Sequence, residues 1–233
     1  MKTCYLKKVC LAVFILTFCF NFKSVQARLS DPGIPNGEKL TYISRTGNGT
    51  EELAEEIAIK NDNGREIYEI SSLSKFGNST VRIAKDTMLP FYAHTVTRTE
   101  EGVIDKETTF TKDKSKNMKD EIRIMDFLDL RHILRGFPFN KGVSLKVVSL
   151  ERRGQGPSFK MEVKCVNMEK VKVGGKSINC YKLELGASGI AGVMFPKISF
   201  WYSVGRPHYL VRSEQKSIIG SQTMELIDYS GSK

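Results

Sequence analysis

The tetrapeptide Gly174-Gly175-Lys176-Ser177 has the glycines, lysine and hydroxyl from which a phosphate-cradling loop is made. The complete motif needs a glycine where this chain has Lys170, and a helix behind the loop where this chain reads as a strand. A charged turn between two strands explains the same residues. His94, His132 and His208 lie in separate elements with no metal-ligand spacing, so no metal is expected. His132 belongs to a helical segment and is expected at its surface or at a mouth. Asp126 and Asp129 are three residues apart and can share a helical face, where capping and the helix dipole account for them as well as acid–base chemistry would. No Gly-x-Ser-x-Gly elbow occurs, and no histidine and carboxylate accompany a nucleophile. The residues therefore point to no enzyme and no cofactor.

Positioning falls to short strands. Leu40 to Ile43, Leu53 to Ile59, Ile67 to Leu73 and Val81 to Ala84 are apolar at a period near two, with Gly47-Asn-Gly49, Asn61-Asp-Asn-Gly64 and Gly77-Asn78 between them. Glu51 to Lys60 has helical propensity, but its flanking turns and length fit the hairpin series. Phe91 to Val96 and Val103 to Phe110 continue the pattern, and Lys112 to Asn117 reads as an exposed tip. Later strands are expected at Val143 to Leu150, Phe159 to Val166, Glu169 to Val173, Ile178 to Leu185, Ile198 to Ser203, Tyr209 to Glu214 and Thr223 to Tyr229. The break is Met125 to Gly136, where Phe127, Leu130, Ile133 and Leu134 share one helical face, Asp126 can cap the start, and Gly136 with Pro138 can end the helix. Gly186 to Pro196 reads as an apolar, glycine-rich loop. An antiparallel sheet with one apolar face must cover it or curl around something. The expected fold is mainly β, a strongly curved or incompletely closed antiparallel barrel with one main helix inside it or across its mouth; a β-sandwich is the alternative.

The chain has 233 residues, 40% of them apolar and 27% charged, which suits one globular domain. Lys2, Lys7 and Lys8, the apolar run Val9 to Phe20, and Val25-Gln-Ala27 describe a secretory signal cut after Ala27. Residues 28–36 then form an irregular lead-in, 37–229 a single β-rich domain and 230–233 a tail. Phe18 before Cys19 argues against a lipoprotein signal. Removing the leader takes four lysines and no acids, so the formal charge falls from +10 to +6 (32 basic minus 26 acidic). Such a surplus suits anionic headgroups, polysaccharide or an acidic partner, or simply a solvated surface. Lys141, Lys146, Arg152, Arg153, Lys160, Lys164, Lys170, Lys172 and Lys176 recur without interleaved aromatics, and export argues against a nucleic-acid partner. Outside the leader only Cys165 and Cys180 remain; an oxidising compartment lets them pair, and two free, buried thiols are the alternative. Asn48-Gly-Thr50 and Asn78-Ser-Thr80 match glycan acceptors and also make good turns.

Gly37-Glu-Lys-Leu-Thr-Tyr-Ile43, Met88-Leu-Pro90, Asp126 to Arg135, Val171-Lys-Val-Gly-Gly175, Cys180 to Leu185 and Ile198 to Ser203 before Pro207 together resemble an exported bacterial family, domain of unknown function 3108. The resemblance spans roughly residues 36–229. It implies a Gram-negative envelope protein, periplasmic or peripheral to the outer membrane, with no established chemistry. The family is also distantly similar to periplasmic lipoprotein carriers whose open barrels hold acyl chains. Val204-Gly205-Arg206 departs from the family, which has an acidic residue in that turn.

The expected function is non-enzymatic binding of a lipid or other amphipathic ligand. Leu130, Ile133 and Leu134 would contribute from the helix, Ile190, Val193, Met194 and Phe195 from the loop, and Trp201 from a late strand. The rival is an assembly module that binds another envelope protein through a strand edge or the apolar loop.

Overall fold

Strands with one apolar face need cover, and this chain supplies it by bending one long sheet around its own helix. The computed structural model describes residues 25–26, 28–47, 49–109, 121–124, 127–149, 159–187, 197–217 and 220–231. They form β1 (Val25–Gln26), β2 (Glu38–Thr46), β3 (Gly49–Asp62), β4 (Arg65–Ser74), β5 (Gly77–Ala84), β6 (Leu89–Thr99), β7 (Gly102–Thr109) and β8 (Glu121–Ile124). Helix α1 (Phe127–Ile133) follows and tightens into a 3-10 turn (Leu134–Gly136). Then come β9 (Val143–Ser149), β10 (Phe159–Val173), β11 (Lys176–Ala187), β12 (Ile198–Ser203), β13 (Leu210–Ser217) and β14 (Gly220–Ser230).

All the strands belong to one sheet, in the order β1-β9-β10-β11-β12-β13-β14-β2-β3-β4-β5-β6-β7, with β8 also on β9. The expected open, curved antiparallel architecture is what forms, and the single continuous sheet excludes the sandwich. Among the described residues, β7 and β9 do not pair with each other, so the sheet is not closed. Its neighbours are antiparallel throughout, except where β1 and β8 lie parallel to β9.

The segment of helical propensity is strand β3, paired over its length with β2 and β4. Two neighbours in register override local preference. The separate strands expected around Glu169 merge into one fifteen-residue β10. Its register shifts between Cys165 and Asn167, leaving Val166 as the extra residue. A bulge exchanges the two faces of a strand. Met161, Val163 and Cys165 accordingly face the main core, whereas Val171 and Val173 join a second cluster with Cys180, Trp201 and Val211. Similar shifts occur in pairings of β6, β13 and β14, and they help the sheet curl.

The cysteine pairing is corrected by that bulge. Both thiols are free, and they belong to different clusters. Cys180 lies opposite Glu169, four residues along β10 from Cys165. At about 3.3 Å per residue the gap is too long for a disulfide. Burial raises both thiol pKa values, that of Cys180 to about 12, so neither is a ready nucleophile.

Gly174 and Gly175 have φ of 56° and 77°, the left-handed pair that a tight hairpin needs, so the glycine-lysine motif is the β10–β11 turn. Gly136 is required for another reason: a Cβ there would lie 2.5 Å from the Ser30 carbonyl oxygen and 2.7 Å from Met88 Cγ. The lead-in is irregular as expected and crosses the helix at this point, with Ser30 N–H donating to the Gly136 carbonyl at 3.0 Å. The expected Asp126 cap, the 112–117 tip and residues 188–196 of the loop lie outside the described residues.

Full labelling of both Cys165 and Cys180 in denaturant without reductant, with no change in melting temperature on adding dithiothreitol, is the outcome expected of free thiols. A mass two units lower that shifts on reduction would contradict it.

Candidate functional site

Arg131 and Arg135 are four residues apart, so they project from the same side of the helix about 6 Å apart along its axis. On the facing sheet, Glu38 and Glu55 are in phase with apolar positions of their strands: Glu38 with Leu40 and Tyr42, Glu55 with Leu53 and Ile57. Leu40 lies opposite Glu55, which makes Glu38 its diagonal neighbour at roughly 7 Å. The two spacings match, and two buried ion pairs join the helix to the sheet.

Arg135 grips Glu38 with both terminal nitrogens, Nη1 to Oε2 at 2.5 Å and Nη2 to Oε1 at 2.9 Å. Its Nε–H donates to the Pro207 carbonyl at 3.1 Å, and Tyr229 Oη donates to Glu38 Oε1 at 3.1 Å. Arg131 Nη2 donates to Glu55 Oε1, which also accepts from Ser72 Oγ at 3.1 Å. Tyr202 Oη donates to the Arg131 carbonyl at 2.7 Å. All four charged residues are buried, and their formal charges cancel. Charges in such surroundings persist only when paired and hydrogen-bonded.

His132 is buried in this network, not at a surface or mouth as expected, because the helix packs on the core face of the sheet, where Arg131 meets Glu55, Met224 and Tyr202. Burial, reinforced by Arg131 and Arg135 and opposed by Glu55, holds the imidazole below its usual pKa. The neutral ring accepts Arg131 Nε–H at Nε2, 3.2 Å away. For Glu55, burial pulls the pKa upward but is outweighed by its partners, chiefly Arg131, leaving it at about 2. Its second oxygen, Oε2, is buried and has no hydrogen-bond partner among the described residues.

Leu130, Ile133 and Leu134 are together, as expected, and all three are fully buried in the main core. Trp201 is not with them. It lies on the opposite face of the sheet, where its Nε1–H donates to Glu169 Oε1 at 2.5 Å and Lys182 and Arg212 stand 5.3 and 5.5 Å from its ring centre. Lys182 is opposite Trp201 in the register, which fixes the face they share. Ile190, Val193, Met194 and Phe195 fall outside the described residues.

Beyond the helix, the inward positions turn polar. Ser44, Glu51, Ser72, Ser79 and Thr95 follow from the strand registers, beside Leu53, Met224, Phe200 and Ile198. On the outside, a trough of about 650 Å³ crosses β2 to β6, with Lys39, Glu56, Ser71, Thr80 and His94 along it. His94 is held there by Asp105 at 2.8 Å, whereas His208 lies tilted against Phe139, their ring centres 4.7 Å apart. The three histidines therefore do not converge. No group of three or more metal-ligating side chains occurs among the described residues.

Glu38 and Glu55 are functional-site residues that the sequence analysis does not single out. A signal was present: two glutamates in phase with strand apolar positions, and two arginines a helical turn apart.

No family model matches the chain, and no curated protein matches it. Several solved structures are similar. A β-barrel-like protein of domain of unknown function DUF1849 from Brucella abortus is 8% identical, with 84% of this chain and 97% of that one covered at a TM-score of 0.43. A DUF1329 family protein from Desulfovibrio piger is 8% identical, covering 86% and 87%, at 0.35. The hypothetical lipoprotein YmcC from Escherichia coli is 9% identical, covering 93% and 95%, at 0.34. At these values the likeness assigns no ligand and no activity, and the resemblance to domain of unknown function 3108 has no matching family model behind it.

Replacing Arg135 alone with Met leaves Glu38 charged and unpaired, and the expected cost in urea unfolding is about 3–5 kcal/mol. Adding Glu38→Leu should recover most of it, since both charges are then gone. Acid should also weaken the fold. Below about pH 6.5 the unfolded chain takes up a proton that native His132 refuses, so stability falls as pH falls. Glu55 adds a second loss, beginning near pH 4 and complete only below about 2. Thermal melts of His132→Gln should show a smaller decline between pH 7 and 5, the remainder belonging to His208, whose burial also lowers its pKa, and should keep the decline below pH 4.

Proposed function

We propose that this protein is a non-enzymatic envelope protein that binds a lipid or other amphipathic ligand on the concave face of its sheet. The observation that supports this is the division of that face. One part is filled by the helix, whose Leu130, Ile133 and Leu134 form a packed floor and do not touch ligand. The rest mixes apolar Leu53, Ile198, Phe200 and Met224 with Ser44, Ser72, Ser79 and Thr95. Glu55 Oε2, buried and without a donor, suits a ligand hydroxyl or ammonium. Each ligand CH₂ withdrawn from water would contribute about 0.8 kcal/mol. The loop residues Ile190, Val193, Met194 and Phe195 are proposed contacts on sequence grounds, and Trp201 is withdrawn because it faces the other way. Export after Ala27, periplasmic location and the resemblance to domain of unknown function 3108 fit this reading.

A second reading, docking of another envelope protein, is favoured by β7. Among the described residues it pairs only with β6, and its Val103 and Ile104 are 65% and 57% exposed. An unpaired strand edge is a template for another strand.

Native mass spectrometry of protein released gently from the periplasm, followed by organic extraction, separates the two. The first reading expects a stoichiometric lipid-sized adduct that is lost in Phe200→Asp, with β7 variants unaffected. An apo mass that persists after incubation with envelope lipids would refute it. A protein adduct lost in Ile104→Lys would establish the second.

A further inference from the structure

The β10–β11 hairpin extends beyond the sheet. Pairing of β10 with β9 stops at Lys164, and pairing of β11 with β12 begins at Cys180. Residues 167–179 therefore form a ribbon hydrogen-bonded mainly to itself. Its two faces differ. One carries Val171, Val173 and Ile178, which pack against Trp201, Val211 and Tyr209 and anchor the ribbon to the body. The other carries Met168, Lys170 and Lys172, opposite Tyr181, Asn179 and Ser177.

That second face is exposed and holds no carboxylate. Glu169 alternates to the anchored face, where it accepts Trp201 Nε1–H. Lys176 stands at the glycine tip, opposite Val173 and so on the edge of the other face, and the turn bearing Arg206 is tied to the ribbon by Val204 N–H donating to the Asn179 carbonyl at 3.0 Å. Among the described residues, Lys170, Lys172, Lys176 and Arg206 have no acidic partner within ion-pair distance, unlike Lys60, Arg65, Arg82 and Lys85 on the β3–β5 side. Met168 stands 64% exposed among these cations, and the bulge residue Val166 is 39% exposed beside it.

We propose that this ribbon is a docking surface for an anionic phospholipid membrane, with the lysines and Arg206 on the phosphates and Met168 in the hydrocarbon boundary beneath them. A hydrated polyanion could neutralise the cations but offers nothing to an exposed methionine and valine, whereas a lipid interface offers both. By register this face lies on the same side of the sheet as the concave face, beyond Tyr181 where it stacks on Phe139, but its cations and Met168 are distinct from the side chains proposed for the concave site.

The test is sedimentation of the leader-free protein with vesicles of phosphatidylglycerol and phosphatidylethanolamine, against vesicles of phosphatidylcholine. Binding to the anionic vesicles alone is expected, weakening with salt. Replacing Lys170, Lys172 and Lys176 together with Gln should reduce partitioning on the order of a hundredfold, at about fivefold for each charge. Lys39, Lys60 and Lys75 replaced together with Gln remove the same charge elsewhere and should leave most binding. Met168→Asp should weaken binding further than the charge change of Lys170→Gln does. Melting temperatures close to the parent show that each variant is folded. Failure to bind anionic vesicles, or an equal loss in the two triple variants, would overturn the proposal. So would retention on a soluble sulfated polysaccharide without vesicle binding, which would make the ribbon a polyanion site.

Discussion

Two buried arginine–glutamate pairs hold this fold to one arrangement. A helix with apolar residues over part of its surface could sit in a curved sheet at several rotations and depths. With Arg131 and Arg135 inside, every displaced arrangement strands at least one charge away from its partner, at a cost of several kcal/mol. Glu38 adds specificity because its carboxylate is gripped bidentately and also accepts from Tyr229 on the last strand. Buried pairs of this kind often contribute no more net stability than apolar residues of the same size, whereas breaking one of them is costly. The curvature of the sheet, the rotation of the helix and the closure of the β14–β2 seam are thereby linked at one place.

The same arrangement divides the concave face. Close to the helix, packing and paired charge leave the described side chains buried. Farther along, hydroxyl groups replace leucines at inward positions, and Ser44, Ser72, Ile198, Phe200 and Met224 there are buried as well. Glu55 joins the two regions: one oxygen anchors Arg131 and accepts from Ser72, and the other has no partner. Its surroundings favour the charged form despite burial, which makes that oxygen an acceptor and not a donor.

Much of the fold was legible because it is local. Alternation located the strands, glycine-containing turns located their ends, and the change of period at Met125 to Gly136 located the helix. Even Glu51 to Lys60 was assigned correctly once its flanking turns were weighed above its composition. The candidate site was legible only in part. Leu130, Ile133 and Leu134 were grouped correctly, but their burial assigns them to the floor. His132 was misjudged, and the glutamates were not singled out, because polarity is a guide to exposure only when no partner awaits inside. Trp201 was assigned to the interior because strand alternation says that residues share a face without saying which face.

The sequence by itself determined the strand-and-turn rhythm, the position of the helix and the basic surplus, all of which are properties of composition or of neighbours along the chain. Tertiary structure decided which charges are buried, which face each residue serves and which lysines stand together. The reason is distance and register. Arg135 and Glu38 are 97 residues apart, and Arg131 and Glu55 are 76 apart, so no local pattern announces the match. A single extra residue at Val166 reverses the faces of β10 and sends Cys165 and Cys180 to different cores. Such an insertion leaves almost no trace in composition or period, yet it puts the valines of the hairpin on the Trp201 side and Lys170 and Lys172 on the other.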